Sequence, residues 1–216
     1  MYPRDPLPDP RRGPAAAGLQ GLFSVIGLLL HAHVGGPAVL STILRTLIIV
    51  LRGLWAPRRE PLAEYVLQFR VSLGDLDTNI HMNNGRYMSL MDLGRVDMAL
   101  RSGIYQTALR RRWIPVIGSA MVRFRRSLGP FQKFELRTRL VGWDDRWFFF
   151  EQRFESGDVL YALAQVRATF RSKGRALPPA EVLTAGGVSL SPPPLPPYLR
   201  LWAQADEEAA QNIRAS

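Results

Sequence analysis

The chain has 216 residues, 47% of them hydrophobic and 21% charged, an ordinary globular balance that excludes a wholly disordered protein and suits one domain with appendages. It holds no cysteine and three histidines, which removes disulfides, thiolate catalysis and cysteine zinc sites and argues against a multi-histidine metal centre. The formal charge is +10 and lysine occurs only at Lys133 and Lys173, so the excess is arginine; this fits phosphate-bearing partners (nucleic acid, anionic lipid, a nucleotide-tailed ligand) or simply reflects GC-rich coding.

Residues 1–16 are rich in proline and arginine without apolar period and read as a disordered leader. The apolar stretch Leu19–Leu30 is shorter than the about 20 residues needed to cross a bilayer; Arg11 and Arg12 precede it as in a signal peptide, but no clean cleavage motif follows. Ala38–Trp55 is long enough to span yet carries Arg45 and Arg52, each costing about 2.5–3.5 kcal/mol at a bilayer centre. Seven apart, they share a helix face, so the expected arrangement is a helix lying in the membrane interface with both arginines among headgroups, aided by Arg58 and Arg59. The alternative is a terminal helix packed on the domain or on a partner subunit. The expected division is a leader (1–37), an apolar helix (38–60), the main domain (61–175), and a proline-rich connector with a terminal helix (176–216).

From Glu64 the pattern changes to a period of two, Tyr65, Leu67, Phe69, Val71 and Leu73 alternating with polar neighbours, which predicts a strand. A polar loop, 74–79, leads into a helix that starts at Asn83 or Asn84, both good N-caps, and stops at Gly103. Its broad face carries Tyr87, Met88, Met91, Arg95 and Met98, a stripe that reads first as core. After a basic turn (Arg110–Arg112) come strands over Ile114–Ser127, Phe134–Trp143, Trp147–Glu155 and Val159–Arg171, with Gly118 marking a bulge or a close backbone approach. Short turns between them predict an antiparallel meander. A long apolar helix followed by such a sheet buries itself most economically if the sheet curls around it. Ser191–Pro197 reads as a stiff polyproline connector to a polar helix, Tyr198–Ile213.

Chemistry concentrates in Asp75-Leu-Asp77-Thr-Asn-Ile-His81-Met-Asn83-Asn84-Gly85. A helix start offers backbone N–H groups without intrahelical partners and the positive end of the macrodipole, which can polarise a carbonyl and hold the oxyanion formed on attack. A carboxylate across the turn can attack or activate water. Equally, Asp75 and Asp77 can merely shape an Asx-type turn while Asn83 caps the helix. Spacing alone leaves both readings open. The arginines are spread over sheet strands and no nucleic-acid motif is present, so a nucleic-acid partner is not expected.

The run Asp75-x-Asp77-x-x-x-His81-Met82-Asn83-Asn84-x-x-Tyr87, followed by Asp92 and Arg95, resembles the signature of hot-dog-fold acyl-CoA thioesterases of the 4-hydroxybenzoyl-CoA thioesterase type. Leu140–Asp145 and the arginine-rich strands resemble the branch called thioesterase superfamily member six and its bacterial relatives. The resemblance covers roughly 62–171. It implies an α+β hot-dog fold, about five antiparallel strands wrapped around one long helix, with the apolar helix at the N-terminal side. It implies hydrolysis of acyl-CoA without metal or organic cofactor, with Asp77 as nucleophile or general base. The Asn84 amide, supported by Asn83 and Gly85, would hold the thioester carbonyl, and His81 and Asn83 would shape the loop. Substrate-contacting positions would include Gly85, Tyr87, Met88 and Asp92. Asp92 matches the family's helix glutamate as a shorter acid, and a buried Asp92–Arg95 ion pair is its structural alternative. Arg123 and Arg125, with Arg126 and Arg171, would meet the nucleotide phosphates. Partners implied are the acyl-CoA, a second copy in a homodimer or higher hot-dog oligomer, and a membrane surface. The location implied is cytoplasmic and peripheral to, or anchored in, a membrane; a non-catalytic acyl-CoA or lipid-binding module is the competing function.

Overall fold

The computed structural model describes residues 37–215, with side chains over 42–213; the leader and the first apolar stretch read from the sequence lie outside them. The elements in order are α1 (Pro37–Trp55), β1 (Tyr65–Arg70), a 3-10 turn (Leu73–Asp75), α2 (Asn84–Arg101), α3 (Ile104–Arg110), β2 (Ile114–Phe124), β3 (Lys133–Trp143), β4 (Phe148–Ser156), β5 (Val159–Ser172), β6 (Arg175–Leu177), α4 (Pro179–Ala185) and α5 (Pro197–Ala215). The strands form one antiparallel sheet in the order β1-β3-β4-β5-β2, with β6 pairing to β5. This is the α+β hot-dog arrangement: the sheet curls around α2, whose Tyr87, Leu90, Met91, Leu93 and Met98 are buried.

Two expectations need correction. Ile114–Ser127 is not the first strand of a meander: β2 pairs with β5 through Ile114↔Arg171 to Phe124↔Ala162, and only β3-β4-β5 meander. What looks like a hairpin turn at Leu128-Gly-Pro130 is a crossing segment. It returns the chain to the far edge, where Val71 donates to the Gln132 carbonyl (3.0 Å). In addition, β6 is a sixth strand, and α3 and α4 are short helices; each has too few residues for a period to declare itself.

Close backbone approach explains two glycines. A Cβ at Gly94 would stand 2.4 Å from Thr138 Oγ1 and 2.8 Å from Gln152 Nε2. There the helix lies on the sheet and Gln152 donates to the Met91 carbonyl (2.9 Å) and to Thr138 Oγ1 (2.9 Å). Gly94→Ala is therefore expected to lower stability by about 1–3 kcal/mol through overpacking, measured as a shift of the urea midpoint at unchanged m-value. At Gly118 the Trp147 ring occupies the space of a Cβ (2.3 Å), beside a register shift between Ile117 and Ser119; bulge and close approach occur together.

The two terminal helices take opposite sides. Helix α1 packs Thr46, Ile49, Val50 and Gly53 inward, Gly53 riding on Leu100 of α2. A second stripe, Leu44, Ile48 and Trp55, stays exposed. On the sheet face away from α2, the buried Arg167 of β5 lies 4.7 Å from the Trp147 ring centroid and pairs with Asp206 of α5 (3.1 Å). The proline segment before α5 lies against β3, with Leu195 over Gly142.

Candidate active site at the start of the central helix

The two aspartates of the loop have separate tasks. Asp75 is 1% exposed and is held from three sides. Arg45 of α1 donates to Oδ1 (3.0 Å) and Oδ2 (2.7 Å), Arg86 Nε of α2 donates to Oδ1 (2.9 Å), and the Ser72 amide and hydroxyl both donate to Oδ2 (2.8 Å). Burial by itself would raise this carboxyl, but the Arg45 and Ser72 hydrogen bonds outweigh it and hold the pKa at about 2. Its backbone carbonyl also accepts from the Asn83 amide (2.8 Å). Asp75 thus ties α1, the loop and the first turn of α2 together. Arg45 also donates to the Arg70 carbonyl (3.0 Å), so it is turned into the protein, contrary to the expectation that it would face headgroups: a buried carboxylate offers a guanidinium more than water does.

Asp77 organises the tip. Its Oδ1 accepts from the amides of Asn79 (2.8 Å) and His81 (3.3 Å), and its amide donates to the His81 carbonyl (2.8 Å). Its second carboxylate oxygen has no hydrogen-bond partner among the described residues. The turn forces Ile80 into the left-handed region at φ 60° while leaving its side chain exposed, a conformation that β-branched residues rarely adopt. His81 is exposed and engages the loop through its backbone.

At the helix start, Asn83 is the N-cap and its side chain accepts from the Gly85 amide (2.8 Å). The amides of Asn83, Gly85 and Arg86 are all engaged. The Asn84 amide alone of these four has no acceptor among the described residues, while the Gly85 amide is taken by the Asn83 cap. Asn83, Asn84 and Gly85 are exposed. An unpaired carboxylate oxygen and an unpaired helix-start amide therefore belong to one short, internally bonded loop. A carboxylate oxygen of this kind can activate a nucleophile, and a helix-start amide can hold an oxyanion.

The remaining expected residues divide. Tyr87 is a core residue, 1% exposed, with its ring 4.8 Å from Phe154 and 5.1 Å from Phe124; burial between sheet and helix, not an open surface, is its setting. Met88 is half-buried against the same core. Asp92 does pair with Arg95, but its side chain is 49% exposed while that of Arg95 is 12% exposed and also bonds Gln152; the pair is half-buried. Arg123, Arg125, Arg126 and Arg171 are exposed. Three of them lead from β2 to Leu128, whose carbonyl accepts from the Met82 amide (2.9 Å) in the site loop. Sequence reasoning missed Arg45 and Arg86, since nothing in their spacing shows that both reach Asp75.

A family model described as thioesterase-like superfamily matches residues 71–202. Protein THEM6 of Xenopus laevis is 30% identical over 195 residues, covering 90% of this chain and 94% of that one. Protein THEM6 of Danio rerio is 43% identical over 114 residues, covering 49% and 56%. Among solved structures, a Staphylococcus aureus protein determined in complex with CoA superposes with a TM-score of 0.53 at 11% identity, covering 67% of this chain and 96% of that one; at that identity the likeness concerns the fold.

Proposed function

The chain belongs to the thioesterase-like superfamily, and from that membership we propose that it hydrolyses an acyl thioester of coenzyme A to the free acid and CoA. The observation that supports the reading is that one loop holds both a carboxylate oxygen of Asp77 and the Asn84 amide with no hydrogen-bond partner among the described residues. The thioester carbonyl rests on the Asn84 N–H, and Asp77 either takes a proton from a water that adds to the carbonyl carbon or adds to that carbon itself, giving a mixed anhydride that water then hydrolyses to the free acid. Negative charge moves onto the carbonyl oxygen, the amide and helix dipole stabilise it, and the thiolate leaves. No metal or organic cofactor enters this scheme. Arg123 and Arg125 are the phosphate-facing residues of the proposal, and the CoA complex of the Staphylococcus aureus neighbour supports a nucleotide-tailed ligand on this fold.

The proposed site is completed by a second copy. Strand β2 is a sheet edge whose Ile114, Ile117, Met121 and Phe124 are exposed, and an open apolar edge invites strand pairing. The wild-type chain is expected to elute as a dimer at tens of micromolar, and Ile117→Lys with Met121→Lys to elute as a folded monomer; a wild-type monomer defeats this part. No helix among the described residues is long and apolar enough to cross a membrane. The exposed stripe Leu44, Ile48 and Trp55, with Arg58 and Arg59 beyond it, supports a surface-lying role for α1 instead.

One observation favours a second reading, a non-catalytic acyl-CoA-binding module: Asp77 already spends one oxygen on its own turn. Thiol release from short-chain, long-chain and aromatic acyl-CoA by the purified chain separates the two. Turnover supports the enzyme, and saturable binding without turnover supports the module.

A further inference from the structure

A cavity of about 580 Å³ lies between α1 and β1, at the sheet edge opposite β2; neither Asp77 nor Asn84 lines it. Its floor is apolar, from Ile48, Ile49, Leu67 and Phe69, and arginines stand at both ends. Arg45 and Arg70 mark one end, joined by the bond from Arg45 to the Arg70 carbonyl. Arg52 marks the other, two helical turns or about 10 Å along α1. The charges do not cancel. Arg45 is matched by Asp75, and Arg101 by Asp97, the one carboxylate in the lining (3.3 Å). Among the described residues Arg52 forms no ion pair or side-chain hydrogen bond, though Asp97 also feels its charge, and the Arg70 side chain makes only a long contact to the Phe131 carbonyl (3.4 Å); one carboxylate in the lining thus faces four arginines. Ligand sites commonly have this size and make-up, a mostly apolar cleft of roughly 300–1,000 Å³ with a few polar groups that orient the guest. A peptide strand added to β1 is disfavoured, because Arg45 already occupies the Arg70 carbonyl at that edge.

We propose that this groove binds a single-chain fatty-acid carboxylate, its head on Arg52 and its chain running along Ile48, Leu67 and Phe69 toward Arg70. Surplus positive charge selects an anion and the apolar floor selects an aliphatic tail; neither feature alone selects both. The site does not depend on the hydrolytic reading: of its lining only Arg45 touches the site loop, and there it binds Asp75, not Asp77 or Asn84.

The test is calorimetric titration of the full chain with sodium dodecanoate below its micellar concentration, beside dodecanol and dodecyltrimethylammonium. Saturable one-to-one binding of dodecanoate is expected, at least tenfold tighter than either comparison ligand. Arg52→Glu and Ile48→Glu, both at exposed positions, should each weaken it at least tenfold, while Asp77→Asn should leave it unchanged. Equal binding of dodecanol, or indifference to both groove variants, overturns the proposal. So does loss of binding in Asp77→Asn alone, which assigns the ligand to the loop. A chain that ignores dodecanoate but sediments with phosphatidylserine vesicles through Arg52 also overturns it, in favour of a bilayer contact. Acyl-CoA turnover that persists in Arg52→Glu keeps the two readings separable.

Discussion

Asp77→Asn is expected to lower kcat for acyl-CoA hydrolysis by about 10²–10⁴, the usual contribution of a positioned acid or base, while leaving the dissociation constant for the acyl-CoA within a few-fold. The substitution is unusually clean for this loop. Asn retains an oxygen that can accept from the Asn79 and His81 amides, so the turn and the strained Ile80 conformation have no reason to relax. What disappears is the negative charge and the basic second oxygen. Steady-state thiol release together with a binding titration reads the two effects separately. Unchanged turnover would remove Asp77 from the chemistry and with it the proposed mechanism; absent turnover in the wild-type chain, with binding intact, would favour the non-catalytic module.

Asp75→Asn should behave in the opposite way, costing folding free energy first. Arg45 and Arg86, each mostly buried, would lose the carboxylate that balances them, and removing one member of a buried ion pair typically costs about 3–5 kcal/mol. That is a large part of a domain's usual margin of about 5–15 kcal/mol. The pH dependence has a definite sign. The Asp75 pKa lies at about 2 when folded against 3.8 unperturbed, so its stabilisation is complete above about pH 4 and is lost as the pH falls toward 2. The stability at stake over that window is on the order of 2 kcal/mol. Urea unfolding at pH 7, repeated from pH 5 downward, should show a lower midpoint for Asp75→Asn and a shallower acid limb than wild type. A midpoint unchanged within error would mean that the three-sided clamp on this carboxylate stabilises nothing. Two aspartates two residues apart would then be distinguished by one losing turnover and the other losing stability.

How legible these roles were depends on the range of the interaction involved. The helix start at Asn83 and its stop near Gly103 could be read because capping is local: a side chain answers amides two or three residues away. Strands β3, β4 and β5 could be read because alternation and turns of two and four residues are equally local. Strand β2 was misplaced for the complementary reason. Leu128-Gly-Pro130 has turn composition, yet whether a turn closes a hairpin or carries the chain across to the other edge depends on which strand is already paired with β5. The assignment of Asp77 over Asp75 came from family resemblance, because two carboxylates at this spacing suit either role.

The amino-acid sequence by itself determined the α+β class, the long helix for a sheet to wrap, the clustering of carboxylates and asparagines in the loop at the helix start, and the lack of any cysteine. Tertiary structure alone decided that β2 closes the sheet beside β5, that Arg45 turns inward to Asp75, that Trp147 needs the bare backbone of Gly118, and that a cationic groove opens beside β1. The first set follows from interactions spanning a few residues, which composition and period record. The second consists of contacts between residues far apart in the chain, such as Arg45 with Asp75 at a separation of 30 and Gln152 with Met91 at 61, whose partners are chosen only when the packed core brings them together.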